Sequence, residues 1–477
     1  MVITPTLTKI INKCIEMAVF PDNLKTAEVI PVFKKGDKRQ VTNYRPISLL
    51  SPFSKIYERH LHTQIINFIN KHNILHPFQY GFRKNYSTEQ AINQISEQLI
   101  SNMEDKLYSC AVFLDLAKAF DTIDHQILIN KLHHYGIRGL AGQLIKNYLS
   151  NRTQRTKINN VFSNYNNITS GIPQGSILGP LLFILYINDM PHSSNFIVRL
   201  FADDACLILA NKDQKLLEIT VNQELQKIED WIQINKLTVN YEKSKFVIFN
   251  RKNSTKQFRI KMQGNQIEQL TDIKYLGIQL DDKLNWKKQI NRVKTKLSSA
   301  SYIIAKSKNY LDQQTLKLLY YTLAFPHINY CLTAWGGTYK TTLQPIVKLQ
   351  NRIIRIISYN SFLCPTKPLY LHHKILPFNQ LYKLNTLILI HKIKNKTISG
   401  YTNILQLTNT HNYNTRISSS NNYYQHYNRT THGQSTSSVK GTKFWQTIPV
   451  ELKELPLYKF KCKLKERMFI ELKEEIT

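Results

Sequence analysis

Two adjacent aspartates, Asp203 and Asp204, lie between two apolar stretches in "IVRLFADDACLILA" at residues 197–210. The apolar stretches predict the two strands of a buried hairpin with the aspartates at its turn. Aspartate is common at turns, because its side chain hydrogen-bonds its own backbone. Adjacent carboxylates nevertheless repel each other, and burying them is costly unless something neutralises their charge. A divalent cation such as Mg²⁺, which prefers hard oxygen ligands, would neutralise both.

Such a metal site needs a third carboxylate, and the candidate is Asp115 in "AVFLDLAKAFDTIDH". Asp115 ends the buried strand predicted over "SCAVFLDLA" at residues 109–117, so a sheet could bring it beside the aspartate pair. An aspartate at this point can also serve only as a helix N-cap. Asp121 and Asp124 compete for the metal role, but Asp121 follows in a predicted turn and Asp124 precedes the predicted helix "HQILINKL".

The chain of 477 residues is strongly basic, with 64 Lys and Arg against 32 Asp and Glu and a net charge of +32. The excess extends from "FKKGDKR" at residues 33–39 to "KFKCKLKER" at residues 459–467, so it is not confined to a tail. A polyanion is the simplest partner, and nucleic acid is the commonest polyanion. A genome that favours Lys codons would give the same excess. A two-carboxylate hydrolase such as a glycosidase fits poorly, because it has no need of a basic surface.

Targeting and redox signals are weak. The six cysteines lie far apart and form no CxxC or Cys/His cluster, which argues against a zinc site or a disulfide framework. No signal peptide precedes "VITPTLTKI", and the longest apolar stretch, residues 177–187, is too short to span a bilayer. We expect an intracellular protein of the nucleus or cytoplasm, neither secreted nor membrane-bound.

The elements that would position these carboxylates form an α/β region followed by a helical, basic one. Residues 41–110 are predicted to be mostly helical, and residues 286–376 helical throughout. The segment of residues 396–440 is polar and poor in core residues, so it is predicted to be loosely ordered. A last amphipathic helix is predicted over "PLYKFKCKLKERMFIELKEE".

The motifs "FLDLAKAFDTIDH", "GIPQGSILGPLLFILYINDM" and "FADD" occur in the order and spacing typical of reverse transcriptases. The sequence resembles most closely the polymerases of non-long-terminal-repeat (LINE-type) retrotransposons, the jockey-like group in particular. Upstream, "VIPVFKKGDKRQVTNYRPISLL" and "QYGFRKNYSTEQA" are similar to the family's finger motifs. Downstream, "NKLTVNYEKSK", "YLGIQLD" and the C-terminal "HNYNTR" are similar to its later motifs, so the resemblance covers nearly the whole chain.

The resemblance implies a right-hand polymerase of α/β class with an α+β palm built on an antiparallel sheet. Fingers would occupy residues 1–110 and the palm, with some finger insertions, residues 111–284, the reverse transcriptase domain covering about residues 25–281. A helical thumb would follow at residues 285–376 and a basic C-terminal extension at residues 377–477. The implied activity is RNA-directed DNA synthesis, which transfers deoxynucleotides from dNTPs to a primer 3′-hydroxyl on an RNA template.

The resemblance also implies the catalytic group. Asp115 and Asp203 would bind two Mg²⁺ ions, with Mn²⁺ as a possible substitute, and Asp204 would complete the carboxylate cluster. Lys243 would be the general acid for the departing pyrophosphate, although one more surface lysine in a lysine-rich chain is the simpler interpretation.

Further positions are implied for substrate contacts. Arg83 and Arg45 would grip the triphosphate, and Phe120 would exclude a 2′-hydroxyl unless it is an ordinary core residue. Gln174 would touch the incoming nucleotide and template, where the flanking Gly175 lets the backbone approach closely. The primer grip would be formed by Tyr275, Leu276 and Gly277.

The chain departs from the family pattern at three places, one of them the mild change of Cys206 where threonine is usual. Phe201 stands where most relatives have tyrosine, which keeps the ring and loses the hydroxyl. Residues 1–40 carry no nuclease motif where relatives have an endonuclease and a finger extension, so we expect no autonomous target cutting. The rival interpretations are a catalytically idle nucleic-acid-binding remnant and a polymerase of a mobile intron or telomere system, which fits the C-terminal half poorly.

Overall fold

The computed structural model describes residues 3–251, 257–398, 423 and 428–476. The helices in these residues are α1 (Thr4–Glu16), α2 (Pro52–Lys71), α3 (Thr88–Glu104), α4 (His125–His134), α5 (Gly139–Leu149), α6 (Gly179–Tyr186), α7 (Gln214–Ile234), α8 (Lys287–Ser307), α9 (Gln313–Leu319), α10 (Phe325–Asn329), α11 (Leu332–Trp335), α12 (Lys340–Ile357), α13 (Thr366–His372), α14 (Phe378–Lys394), α15 (Ser437–Gln446), α16 (Val450–Lys453) and α17 (Leu457–Glu474). The strands are β1 (Thr26–Phe33), β2 (Tyr44–Leu49), β3 (Tyr108–Asp115), β4 (Arg152–Ile158), β5 (Val161–Phe162), β6 (Asn166–Ile168), β7 (Ile197–Phe201), β8 (Asp204–Asn211), β9 (Lys245–Phe249), β10 (Lys261–Met262), β11 (Asn265–Gln266), β12 (Glu268–Leu270), β13 (Asp272–Tyr275) and β14 (Ile278–Asp281).

The central sheet has the strand order β12-β9-β3-β8-β7. Its neighbours are antiparallel, apart from the parallel edge pair β12 and β9. The predicted hairpin over residues 197–210 is confirmed as β7 and β8, which pair Phe201 with Asp204. The predicted buried strand over residues 109–117 is confirmed as β3, in the middle of the sheet. The expected α+β palm with an antiparallel sheet is therefore present.

Strand β3 divides the apolar interior into two cores, because successive side chains of a strand point to opposite faces. Val112 and Leu114 face a first core that is shared with helices α2 and α4–α7. Ala111 and Phe113 face a second core that is shared with α3 and with the helices from α8 onward. The near-continuous apolar run in β3 follows from this burial on both faces.

A second sheet has the order β2-β1-β4-β5, with β6 also paired to β4. Strands β1 and β4 are parallel, and Thr26 lies opposite Thr153. The polar sequence of residues 152–168 does not by itself predict strands, and β2 lies in a region predicted to be mostly helical. β2 and β4 become strands by pairing with β1, and β5 and β6 by pairing with β4.

The predicted helical region of residues 286–376 is confirmed as α8–α13, and the predicted last amphipathic helix is confirmed as α17. Trp335, Trp445 and Phe460 are fully buried in the second core, so α11, α15 and α17 pack into one apolar interior with the central sheet. Most of the segment predicted to be loosely ordered, with "HNYNTR", lies outside the described residues. No described helix combines the length and apolarity needed to cross a membrane.

Candidate active site

The register of the central sheet brings the predicted carboxylates together. Asp115, the last residue of β3, lies directly opposite Asp204, the first residue of β8. Asp203 precedes it in the turn, which the left-handed backbone of Ala202 (φ 54°) makes possible. The backbone N–H of Asp115 donates to Ser244 Oγ at 3.2 Å, so the segment before β9 also holds this strand end.

The carboxylates interact electrostatically. Burial, followed by the charges of Asp203 and Asp115, raises the pKa of Asp204 to about 6. Burial also raises the pKa of Asp203, with a further contribution from Asp115. Asp203 and Asp204 therefore resist ionising together, and nearby positive charge would favour their ionised forms.

That charge is supplied in part by Lys243, whose Nζ lies 3.0 Å from Asp115 Oδ2. Both side chains are partly exposed, 51% for the lysine and 28% for the aspartate. In the part of the chain that the structure describes, no three His, Cys, Asp or Glu side chains are grouped so that they could hold a metal ion. The Asp115 carboxylate is engaged by an ammonium group instead.

The two competing aspartates have other partners. Asp124 caps α4 by accepting from Ile127 N–H at 3.0 Å, and it pairs with Lys236 at 2.7 Å. Asp121 accepts a hydrogen bond from Gln174 Nε2 at 2.9 Å. The predicted position of Asp124 directly before a helix is confirmed.

Two cations of the second sheet face the carboxylates. Arg45 on β2 lies opposite Val32 of β1, and Lys34 directly follows β1. Positive charge on Lys34 and Arg45 lowers the pKa of Asp203, in opposition to its burial. Burial, with repulsion from Arg45 and Lys243, lowers the pKa of Lys34. Lys34 was not identified as a site residue from the sequence, although the basic run "FKKGDKR" that contains it indicated positive charge in this region.

The loop of residues 79–83 docks on the carboxylate hairpin. Gln79 Oε1 accepts hydrogen bonds from Gly81 N–H at 2.8 Å and from Ala202 N–H at 3.2 Å. A Cβ on Gly81 would lie 2.3 Å from the Ala202 nitrogen, so only glycine permits this approach. Neither Gln79 nor Gly81 was identified from the sequence, because the importance of these residues is seen only in the contact between this loop and Ala202.

Arg83, predicted to grip a triphosphate, is turned toward its own loop. Its Nη1 donates to His76 O at 2.9 Å and to Gln79 O at 3.2 Å, and its guanidinium lies 4.0 Å from the Tyr86 ring centroid. Burial lowers its pKa. Arg83 thus fixes the loop that supports the hairpin.

A cleft of about 360 Å³ lies between the second sheet and the segment before α6. Gln174 lines it, and the Gln174 carbonyl accepts from Ser48 N–H of β2 at 2.7 Å. Gly175 has φ 129°, and a Cβ there would lie 2.6 Å from Ser48 O. The predicted close backbone approach at Gly175 is therefore made to β2.

Phe120 lies half-buried beside this cleft. Its ring stacks on Phe183 of α6 at 4.7 Å and meets the exposed Phe82 edge-on at 6.1 Å, between centroids. The backbone carbonyl of Phe120 accepts from Ile172 N–H at 2.8 Å. One face of the ring belongs to the core, so both interpretations of this residue retain support.

Tyr275, Leu276 and Gly277 form the tight turn between β13 and β14. Leu276 and Gly277 have φ of 44° and 81°, which is the pattern of a type I′ hairpin turn. Tyr275 is buried against Phe113, and Tyr330 donates its hydroxyl proton to Leu276 O at 2.7 Å. The turn is thus tied both to the central sheet and to the C-terminal helices.

Comparison with known proteins gives the following matches. Residues 33–280, more than half of the chain, match the family described as "Reverse transcriptase (RNA-dependent DNA polymerase)". The chain is 27% identical over 361 residues to the probable RNA-directed DNA polymerase from transposon X-element of Drosophila melanogaster. It is 29% identical over 369 residues to the RNA-directed DNA polymerase from mobile element jockey of the same organism. Each alignment covers 74% of this chain and 40% of the relative, so the chain spans about 40% of these relatives' length.

Among solved structures, telomerase from Candida albicans in complex with a fragment of telomeric RNA is similar, with a TM-score of 0.39 and 12% identity. The alignment covers 78% of this chain and 65% of that one.

Proposed function

This chain belongs to the reverse transcriptase (RNA-dependent DNA polymerase) family, and from that premise we propose that it extends a DNA primer along an RNA template. The substrates would be deoxynucleoside triphosphates, and the reaction a nucleotidyl transfer to the primer 3′-hydroxyl. The observation that carries the proposal is the pairing of Asp115 with Asp204 beside Asp203, at the end of the central sheet.

The reverse transcriptase family generally uses divalent metal ions. Asp115, Asp203 and Asp204 supply the hard oxygen donors that such ions prefer, and burial, with a further contribution from neighbouring carboxylates, raises the pKa of Asp203 and Asp204. At Asp115 the ions would take the place of the Lys243 ammonium group. We propose that these residues hold two Mg²⁺ ions, for which Mn²⁺ can substitute. When bound, the ions would supply Lewis acidity toward the primer hydroxyl and the triphosphate.

The side chains around the carboxylates suit two further parts of the reaction, neutralising the triphosphate and protonating the departing pyrophosphate. Lys34 and Arg45 would neutralise the triphosphate, since both project positive charge toward Asp203. Lys243 Nζ would donate a proton to the departing pyrophosphate, and its ion pair with Asp115 keeps it at the site beforehand. Arg83 would contribute indirectly, because it fixes the loop of residues 79–83 that supports the β7–β8 hairpin.

The neighbouring cleft suits the nucleotide and template. Gln174 and Gly175 would contact them along β2, and Phe120 would press on the sugar. The turn at Tyr275–Gly277 would hold the primer end. Residues 1–110 would form the fingers and residues 111–284 the palm, with β4–β6 as a finger insertion because β4 pairs with β1 and carries β5 and β6. Residues 285–376 would form the thumb and residues 377–477 a basic extension.

The test is primer extension by the purified chain on poly(A) with an oligo(dT) primer. We expect Asp115→Asn and Asp203→Asn each to lower kcat by about 10³-fold, or ~4 kcal/mol, because both would act mainly in the transition state. Asp124→Asn is the matched control, since Asp124 caps a helix. Primer–template affinity should not change. A parent chain that binds primer–template without extending it would identify an idle nucleic-acid-binding remnant.

A further inference from the structure

A second cleft, of about 490 Å³, lies where three C-terminal parts of the chain meet. It is lined by the segment between α11 and α12, by α14, and by α15 with the residues before it. None of its lining residues belongs to the carboxylate site or to the cleft beside β2. The polymerase reaction proposed above gives this second cleft no role.

Three lysines, Lys340, Lys440 and Lys443, line the cleft, and its described lining contains no acidic side chain. Lys440 is half-buried and donates from Nζ to the Gly337 carbonyl at 2.6 Å. Burial, with repulsion from Lys340 and Lys443, lowers the pKa of Lys440. The salt bridges found within the described ranges include none of these three lysines. The positive charge of the cleft is therefore uncompensated by the protein there.

Aromatic rings alternate with these lysines. Lys440 Nζ lies 5.6 Å from the Tyr382 ring centroid, and Tyr382 meets the Phe444 ring edge-on at 6.2 Å. Tyr339, which also lines the cleft, is 44% exposed. Lysines that neutralise phosphates, beside rings on which bases stack, are the two components of single-strand binding surfaces. A small inorganic anion would interact with the lysine charges but would make no stacking contact with the rings.

We infer that this cleft binds the phosphodiester backbone of a single-stranded nucleic acid, independently of the carboxylate site. The lysines would contact phosphates, and Tyr339 would offer a stacking face for a base. The inference goes beyond the proposed polymerase activity, because such binding needs no divalent ion, no primer and no nucleoside triphosphate. RNA and DNA share the recognised group, so the test includes both.

The test measures binding of a short fluorescent oligouridylate to the full chain in EDTA, with oligothymidylate as the DNA arm. The variant is Lys340→Gln with Lys443→Gln, both exposed lysines. The matched control is Lys212→Gln with Lys215→Gln, exposed lysines after β8, at the strand end remote from Asp204. If each cleft lysine contacts one phosphate, the variant should lose about 10- to 30-fold in affinity at 0.1 M salt. The slope of log K against log salt should then fall by about 1.4.

A second readout locates the bound strand. Oligouridylate should protect Lys340 and Lys443 from acylation, mapped by mass spectrometry, and should leave Lys212 reactive. Equal loss of affinity in both variant pairs, or no protection of the cleft lysines, would overturn the inference. Competition by a polyglutamate peptide as effective as that by the oligonucleotide would overturn it in favour of an acidic protein partner. Because the assay contains no metal ion, a failure of the polymerase proposal would leave its outcome unaffected.

Discussion

The Phe120 ring stacks on Phe183 and meets the exposed Phe82 edge-on, and its two interpretations, sugar gate and core residue, predict different results. A sugar gate predicts that Phe120→Ala raises ribonucleotide use relative to deoxynucleotide use by about 10²-fold, or 2.7 kcal/mol, because overlap in a close-packed site cannot relax cheaply. A core role predicts a loss of stability and of both activities together. Single-nucleotide incorporation of dTTP and UTP separates them. Phe82→Ala, which removes the neighbouring exposed ring, should leave the ratio unchanged.

Two histidines, the partly buried His76 and the buried His432, should make folding stability depend on pH. Burial, with nearby positive charges, lowers the pKa of His76 and of His432 to about 4 each. Because the unfolded value is about 6.5, both imidazoles stabilise the fold fully above that pH and lose this contribution as pH falls toward 4. Urea unfolding from pH 7 to 4 should therefore show a steeper loss in the parent than in the double variant His76→Gln, His432→Gln.

The exposed residues His60 and His134 provide the control for this experiment. Replacing both by glutamine should leave the pH dependence of the free energy of unfolding as it is in the parent. If the free energy of unfolding falls equally steeply with decreasing pH in the parent and in the His76→Gln, His432→Gln variant, the assigned pKa directions are contradicted.

The contact between the loop of residues 79–83 and the β7–β8 hairpin shows how one element positions another. A Cβ on Gly81 would meet the Ala202 nitrogen at 2.3 Å, so Gly81→Ala must push the loop and the hairpin apart. A displacement of about 1 Å at a catalytic group can cost 10²-fold in rate, and we expect a loss of that order in kcat. Primer extension, compared with the thermal midpoint Tm, measures it.

Gly264→Ala is the control for this substitution, because a Cβ there meets nothing within 4 Å. Its φ of +75° should cost about 1 kcal/mol of stability and leave extension intact. If Gly81→Ala loses stability without losing activity in the molecules that remain folded, the contact with Ala202 does not position the catalytic hairpin.

The net charge of +32 concerns the whole molecule. If about six or more phosphates of a primer–template are contacted, affinity should fall by about 10³-fold between 50 and 200 mM salt, because binding releases counterions. Fluorescence anisotropy with the Asp203→Asn variant, which blocks extension, measures this without turnover. A flat response to salt would mean that the lysine excess reflects codon usage and not a binding surface.

The sequence by itself determined the local features of this protein. The alternation and apolar runs predicted β3 and the β7–β8 hairpin, and Asp115 was correctly placed at a strand end. The amphipathic spacing predicted the last helix, α17. These features depend on neighbouring residues, whose side-chain periods of 2 and 3.6 are written directly in the chain. The motif resemblance added the family, because order and spacing are also properties of the sequence.

Only the tertiary structure decided which distant segments meet. Residues 152–168 carry no strand signal, yet β4 forms by pairing with β1, which joins Thr26 to Thr153, and β5 and β6 form by pairing with β4. The cations around the carboxylates, Lys34 and Lys243, reach the site from different elements. The support of the hairpin by Gln79 comes from a hydrogen bond that spans 123 positions. Such contacts depend on register and packing between elements, and no local pattern encodes them.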